Sequence, residues 1–342
     1  MVNSTLAAPK LILLLMTDQF RYDAFQSDIT PNLYNQLALD PDATTFTNAY
    51  VSTPVCTPAR AALLTGKSPW NHGMLAYGYT VNCSSYPTTL PAVLGQLRGY
   101  DTYSVGKNHF GWHPDGEYEG QGYHHRQVYD AMTKQLYADQ YMTYWNTKHP
   151  GVDPLSVTNC SDNLHNTSGL AYNEWRACPY GGPHEKEHPT PWTTWRALEY
   201  LKKFHFHGHE KKMFLKVSYH RPHSPYDPPK RIFQKRLNAT IPHRILDYTS
   251  WDADYRNTTP MVASDWHGDP GEEAAQHSRA GYLGSCEFVD EGMGQIFDWL
   301  KDNNLWDDTL ILFVEKGLCL RRQCACQSHC QSTKGYQTDY YN

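Results

Sequence analysis

Long apolar runs are missing from this chain. No segment reaches the 18 or more consecutive apolar residues of a membrane span, which excludes a helical anchor within these 342 residues. Excess positive charge is missing as well: 30 Lys and Arg stand against 35 Asp and Glu, for a net charge of -5, and no basic stripe appears before residue 200. Nucleic acid is therefore not the expected partner. No internal repeat is visible, and no leader with a small-residue cleavage site precedes the core. The short run Leu11-Ile12-Leu13-Leu14-Leu15-Met16 passes directly into Thr17-Asp18 and reads as a buried first strand rather than a signal segment. Aromatic residues, by contrast, are abundant. With 25 Tyr and 10 Trp, there are more rings than a compact core needs, leaving some to line a cleft.

The compartment is signalled from two directions. Asn-x-Ser/Thr sequons at Asn3, Asn82, Asn159, Asn166, Asn238 and Asn257 suit a secretory route, lysosomal or extracellular, although no export signal is visible. The nine cysteines are an odd number. Cys83, Cys160 and Cys178 lie near sequons or turns and could pair in an oxidising lumen, which leaves Cys56 as the one kept out of disulfides.

Strand-like and helix-like segments alternate, the pattern of an α/β domain with a doubly wound, mostly parallel sheet and helices on both faces. Strands are expected at Leu11 to Met16, Thr45 to Val51, Tyr100 to Val105, Met213 to Tyr219 and Thr309 to Val314. Helices are expected at Pro31 to Leu39, Thr88 to Arg98, Trp192 to Phe204 and Glu272 to Leu300. In the second of these helices, Leu90, Val93, Leu94 and Leu97 share one face. Residues 111–189 lose the pattern and read as an irregular, aromatic-rich insertion covering the active-site edge, too long for a plain loop. The expected catalytic domain spans 8–314, followed at 315–342 by an atypical Cys-rich tail without order.

One stretch carries the chemistry: Pro54-Val55-Cys56-Thr57-Pro58-Ala59-Arg60-Ala61-Ala62-Leu63-Leu64-Thr65-Gly66. Thr57 suits an N-cap, Pro58 the first helical position and Gly66 the stop. Cys56 then sits where helix N–H groups and the macrodipole favour an anion, with the Arg60 guanidinium about one turn further on. An ordinary buried cysteine would need neither neighbour. Residue for residue, this run resembles the modification motif of the formylglycine-dependent sulfatases, in the alkaline phosphatase superfamily: Cys-x-Pro-x-Arg followed by Thr-Gly.

The resemblance implies that Cys56 is oxidised by a formylglycine-generating enzyme to formylglycine (3-oxoalanine), whose hydrated aldehyde is the nucleophile, and that a calcium ion is bound. Asp18 and Gln19 follow the first strand, where the family places a calcium-ligating Asp; the metal set is therefore expected to be Asp18, Gln19 and the modified Cys56. The run Gly99-Tyr100-Asp101-Thr102-Tyr103-Ser104-Val105-Gly106-Lys107-Asn108-His109-Phe110 resembles the second sulfatase motif. It implies that Lys107 and His109 contact the formylglycine, Lys107 also meeting a sulfate oxygen and His109 moving the proton. Pro222-His223-Ser224-Pro225 resembles the Pro-His-x-Pro loop whose histidine reaches the sulfate. The catalytic set is thus expected to be Cys56, Arg60, Lys107 and His109, with Lys107 and His223 binding substrate. His220 and Arg221 receive no role, and His205, His207 and His209 read as a solvated turn.

The resemblance runs from Leu11 to about Phe313. The family would then supply Asp-Asn or Asp-His before a Gly, completing the calcium site; this chain has Val314-Glu315-Lys316-Gly317. A lysine there would repel the cation, and Glu315 could substitute only through a one-residue shift. The family's small C-terminal subdomain is also missing, which suggests altered splicing, a changed frame or an incomplete gene model. The expected activity is hydrolysis of a small-molecule or carbohydrate sulfate ester. The alternatives are a catalytically impaired pseudo-sulfatase and a phosphonate monoester or phosphodiester hydrolase of the same superfamily.

Overall fold

The structure, a computed structural model, describes residues 8–75, 88–109, 121–130, 139–152, 154, 177, 179–208, 211–239 and 272–316. The expectations for Cys83, Cys160 and Cys178, for the tail beyond Lys316, and for every sequon but Asn238 lie outside them.

Five strands form one sheet: β1 (Leu11–Asp18), β2 (Tyr100–Gly106), β3 (His125–Val128), β4 (Lys212–Ser218) and β5 (Thr309–Lys316). Their order is β3-β2-β4-β1-β5, and every pairing is parallel. β1 lies inside the sheet with both faces covered, which is why it reads as a continuous apolar run instead of alternating. Leu11, Leu13 and Leu15 point to one face, and Leu14 and Met16 to the other.

Helices cover both faces. The larger core packs Leu11, Leu13 and Leu15 against α5 (Pro189–Phe206) and the long α7 (Glu272–Asp302). Met293, Ile296, Phe297 and Leu300 of α7 are all fully buried there, each contributing about 1.5–3 kcal/mol of apolar burial. The smaller core sets Leu14, Met16 and Phe214 against Ala61 and Leu64 of α1 (Cys56–Thr65), with Leu94 at its edge. α2 (Pro69–His72), α3 (Leu90–Arg98), α4 (Gln140–Lys148) and α6 (Lys230–Leu237) complete the set used below. Among the described residues, no helix is long and apolar enough to cross a membrane.

Four sequence expectations need correction. Thr45 to Val51 is loop, with Phe46 and Tyr50 exposed: a β-branched and aromatic run has no strand to pair with here. The helix expected from Pro31 is a π-helical turn, Asn32–Ala38, held to α7 by Asp290, which accepts from the Asn32 and Leu33 backbone N–H groups. In α3, Leu97 and Leu90 face outward, and Thr89 caps the helix by accepting from Ala92 N. The stretch 111–189 is not wholly irregular. Its described part supplies the edge strand β3 and helix α4, which local patterning missed because β3 is only four residues long.

Gly106 ends β2 at φ 84°, a region that favours glycine. A Cβ there would stand 2.1 Å from the Ser218 carbonyl oxygen, which accepts from Lys107 N at 2.7 Å. Gly106→Ala is expected to cost about 1–3 kcal/mol for the dihedral alone, with the clash in addition. A lowered urea midpoint reads the loss; an unchanged midpoint would contradict this account.

Candidate active site

The parallel strands bring their carboxyl ends to one edge, where open α/β sheets place ligand groups. Asp18 closes β1, Lys107 follows β2, Ser218 closes β4, and the N-terminus of α1 faces them. The helix begins at Cys56 itself, with Val55 as N-cap and no side-chain cap, so the expected Thr57 cap is displaced by two residues. Pro58 is tolerated inside the first turn because N–H groups there have no intrahelical partner in any case. Gly66 ends the helix at φ 67°, as expected.

Around Asp18, which is fully buried, two cations converge. Lys107 Nζ lies 2.7 Å and Arg60 Nη2 3.3 Å from Asp18 Oδ2, while Cys56 Sγ stands 3.9 Å from Oδ1. Arg60 Nη1 also donates to the Lys107 carbonyl at 2.9 Å and to Ser218 Oγ at 3.0 Å, fixing the guanidinium in place. The sequence motifs at Asp18, Cys56, Arg60 and Lys107 are therefore brought into one buried cluster. Among the described contacts its two cations outnumber its one carboxylate, which suits an anion with several oxygens.

His109 is buried at the same edge, in a left-handed conformation with φ 53°. Asp130, 21 residues further on, clamps this turn by accepting from both Asn108 N and His109 N. Gln19 also has positive φ, 64°, and its carbonyl accepts from Tyr282 Oη at 2.7 Å. His223 is half-buried, and its Nδ1 faces the Ser224 carbonyl at 2.8 Å, a contact that needs the proton on Nδ1.

His220, unassigned from sequence, packs its ring 4.8 Å from that of His223. Burial holds its pKa well below the usual value, with the charges of Lys107, His223 and Arg221 acting in the same direction. Arg221 Nη1 lies 2.6 Å from His220 Nδ1; a guanidinium only donates, so Nδ1 accepts and Nε2 carries the proton. Arg221 is itself paired with Asp227, and both are buried. His188 Nε2 stands 3.3 Å from Asp227 Oδ1, the oxygen that also faces Arg221 Nε.

Sequence reasoning also missed Lys216. It lies within the buried strand β4 and donates to Asn108 Oδ1, which also accepts from Ser104 Oγ. The signal was available: Lys216 interrupts the apolar run Met213 to Val217 in the middle of the strand. Burial, reinforced by Arg60, lowers its pKa to about 7 from 10.5. Between these values the unfolded chain holds a proton that the folded chain does not, so stability rises with pH. Lys216→Met is expected to abolish this rise, read as the difference in urea midpoint between the two proteins from pH 7 to 10. Parallel curves would contradict it.

A calcium cage is only partly represented. The ion takes six to eight oxygens, whereas Asp18 is the one carboxylate that the described contacts place in this cluster. The β1–β5 register pairs Glu315 with Thr17 and Lys316 with Asp18, so Glu315 points away from the Asp18 face and accepts from Phe20 N instead. The one-residue shift that would bring Glu315 across does not occur.

Comparison with known proteins shows the family. The family model described as Sulfatase matches residues 10–314. An arylsulfatase from Clostridium perfringens is 28% identical over 320 residues, covering 89% of this chain and 62% of its own length. Among solved structures, a phosphonate monoester hydrolase from Silicibacter pomeroyi superposes with a TM-score of 0.65 at 20% identity, covering 89% of this chain and 62% of that one. A protein solved with its substrate D-glucosamine-2-N,6-O-disulfate gives 0.58 at 17% identity, with coverage of 90% and 65%. The chain thus spans less than two thirds of the length of these relatives. With the matched domain running through every strand of the sheet and all the motifs at its carboxyl edge, this chain belongs to the sulfatase family.

Proposed function

We propose that this chain is a sulfuric ester hydrolase whose nucleophile is formylglycine made from Cys56. The observation that carries the reading is the convergence of Arg60 and Lys107 on one oxygen of Asp18 while Cys56, at the N-terminus of α1, faces the other. Oxidation of Cys56 would supply a hydrated aldehyde able to attack sulfur, and a formylglycine-generating enzyme is the partner this requires. Arg60 and Lys107 would bind and orient the sulfate oxygens and stabilise charge that develops on them. His220, neutral with its proton on Nε2, offers a donor, and His223 a second imidazole. His109 is the residue proposed to move a proton near Cys56. Calcium is part of the family resemblance, with Asp18 and Gln19 as the residues that would hold it beside the modified Cys56. No step is routed through it, because the described donors fall short of a cage.

Sulfated carbohydrate is the proposed substrate class, supported by the aromatic residues of the insertion and by the relative solved with a disulfated glucosamine. Passage through the secretory pathway is supported by the sequons, of which Asn238 is exposed at the end of α6. The impaired-enzyme alternative draws on Asp18 being the single carboxylate among the described contacts of the site. A mass measurement on the Cys56 peptide, together with turnover of an aryl sulfate and an aryl phosphodiester, tests all three readings. The aldehyde with preferential sulfate cleavage is expected. An unmodified thiol in an active protein, or faster phosphodiester cleavage, would overturn the reading, and an aldehyde-bearing protein without turnover would establish the impaired one.

A further inference from the structure

A second cluster lies apart from the sulfate site, where the end of α4 meets the 3₁₀ turn Gly182–Glu187 that precedes α5. His149 Nε2 and His184 Nδ1 both point at one oxygen, Glu187 Oε2, at 2.8 and 2.9 Å. All three ligand atoms lie within 4.8 Å of one another. We propose that His149, His184 and Glu187 bind a divalent transition metal of the zinc class, fastening α4 to the turn before α5.

The chemistry of the donors selects the metal. Two imidazoles and one carboxylate are a zinc-type set, with water completing a tetrahedron, whereas calcium calls for oxygens throughout. Zinc holds such atoms at roughly 2.0–2.2 Å, which sets neighbouring ligands about 3.3 Å apart. The two histidine-to-Glu187 distances, 2.8 and 2.9 Å, need open by only about half an ångström to reach this spacing. His184 and Glu187, three residues apart in a 3₁₀ turn, share one side of it.

The surroundings favour the same use. The Trp145 ring lies tilted against His149, centroids 4.3 Å apart, and meets His184 edge-on at 5.9 Å, forming an apolar wall. Tyr141 Oη donates to the Glu187 carbonyl at 3.0 Å and anchors the turn. Glu187 supplies a carboxylate oxygen that both imidazoles already face. His149 and His184 are 23% and 32% exposed, open enough for an ion to enter. One cation competes: Lys148 Nζ sits 3.0 Å from Glu187 Oε1, the oxygen that the histidines do not use. Lys148 is half exposed and can turn to water.

Zinc titration of the whole metal-free protein against a chromophoric chelator tests the site, with cobalt as a spectroscopic probe. Wild type is expected to give the intense visible bands of tetrahedral cobalt. His149→Ala and His184→Ala should each weaken zinc at this site by at least about tenfold and remove those bands. Their melting temperatures without metal control for folding. Lys148→Met, at an exposed position, should tighten binding by removing the competitor. Zinc affinity and cobalt spectra unchanged by all three substitutions would overturn the proposal. Sulfate ester hydrolysis is no part of the readout, so failure here leaves the proposed function untouched.

Discussion

Cys56→Ala is expected to lower kcat/KM for an aryl sulfate by at least about 10³-fold, the scale seen when a covalent nucleophile is removed. The loss should fall on kcat, because Arg60 and Lys107, which are proposed to bind the sulfate, remain in place around Asp18. The fold should be kept. Cys56 begins α1 and has Val55, not its own side chain, as the cap, so the truncation should cost on the order of 1 kcal/mol. Steady-state kinetics and a melting curve on the same preparation separate the two effects. Activity within tenfold of wild type would remove Cys56 from the mechanism.

Asp227→Asn carries the largest expected effect on stability. Asp227 and Arg221 are each 1% exposed, and the substitution leaves the guanidinium buried without its counter-charge. Breaking such a pair costs about 3–5 kcal/mol, a fall in Tm on the order of 10 °C. Replacing both residues by apolar ones, in Arg221→Met/Asp227→Leu, should recover most of that loss because no charge is then stranded. The sign with pH follows from the carboxyl. Burial alone would raise its pKa, but Arg221 and His188 outweigh burial and hold it far below the ordinary 3.8. Its contribution is therefore present above pH 3.8 and is lost as pH falls below that value. A double variant no more stable than Asp227→Asn would refute the stranded-charge account. The same pair supports Arg221 against His220, so loss of sulfate affinity should accompany loss of stability.

Much of the fold was legible because buried parallel strands leave continuous apolar runs and long helices leave a 3.6-residue period. Leu11 to Met16, Met213 to Tyr219 and Glu272 to Leu300 fall within two residues, at either end, of the strands and helix observed. Thr45 to Val51 misled because β propensity is realised only when a partner strand is present. β3 escaped notice for the opposite reason. His125 to Val128 has little strand character of its own and pairs because β2 offers an open edge.

By itself, the sequence determined the family, the α/β class and the residues Asp18, Cys56, Arg60, Lys107, His109 and His223 as those to watch, because these sit in short motifs whose spacing is local. Tertiary structure alone decided their relations. Asp18 and Arg60 are 42 positions apart and meet because β1 and α1 converge at the sheet's carboxyl edge. Lys216, Asp130 and His220 join them from other segments, and the parallel register sends Glu315 to the opposite face from Asp18. Strand pairing places such distant groups together, and a one-residue change in register reverses which side chains share a face.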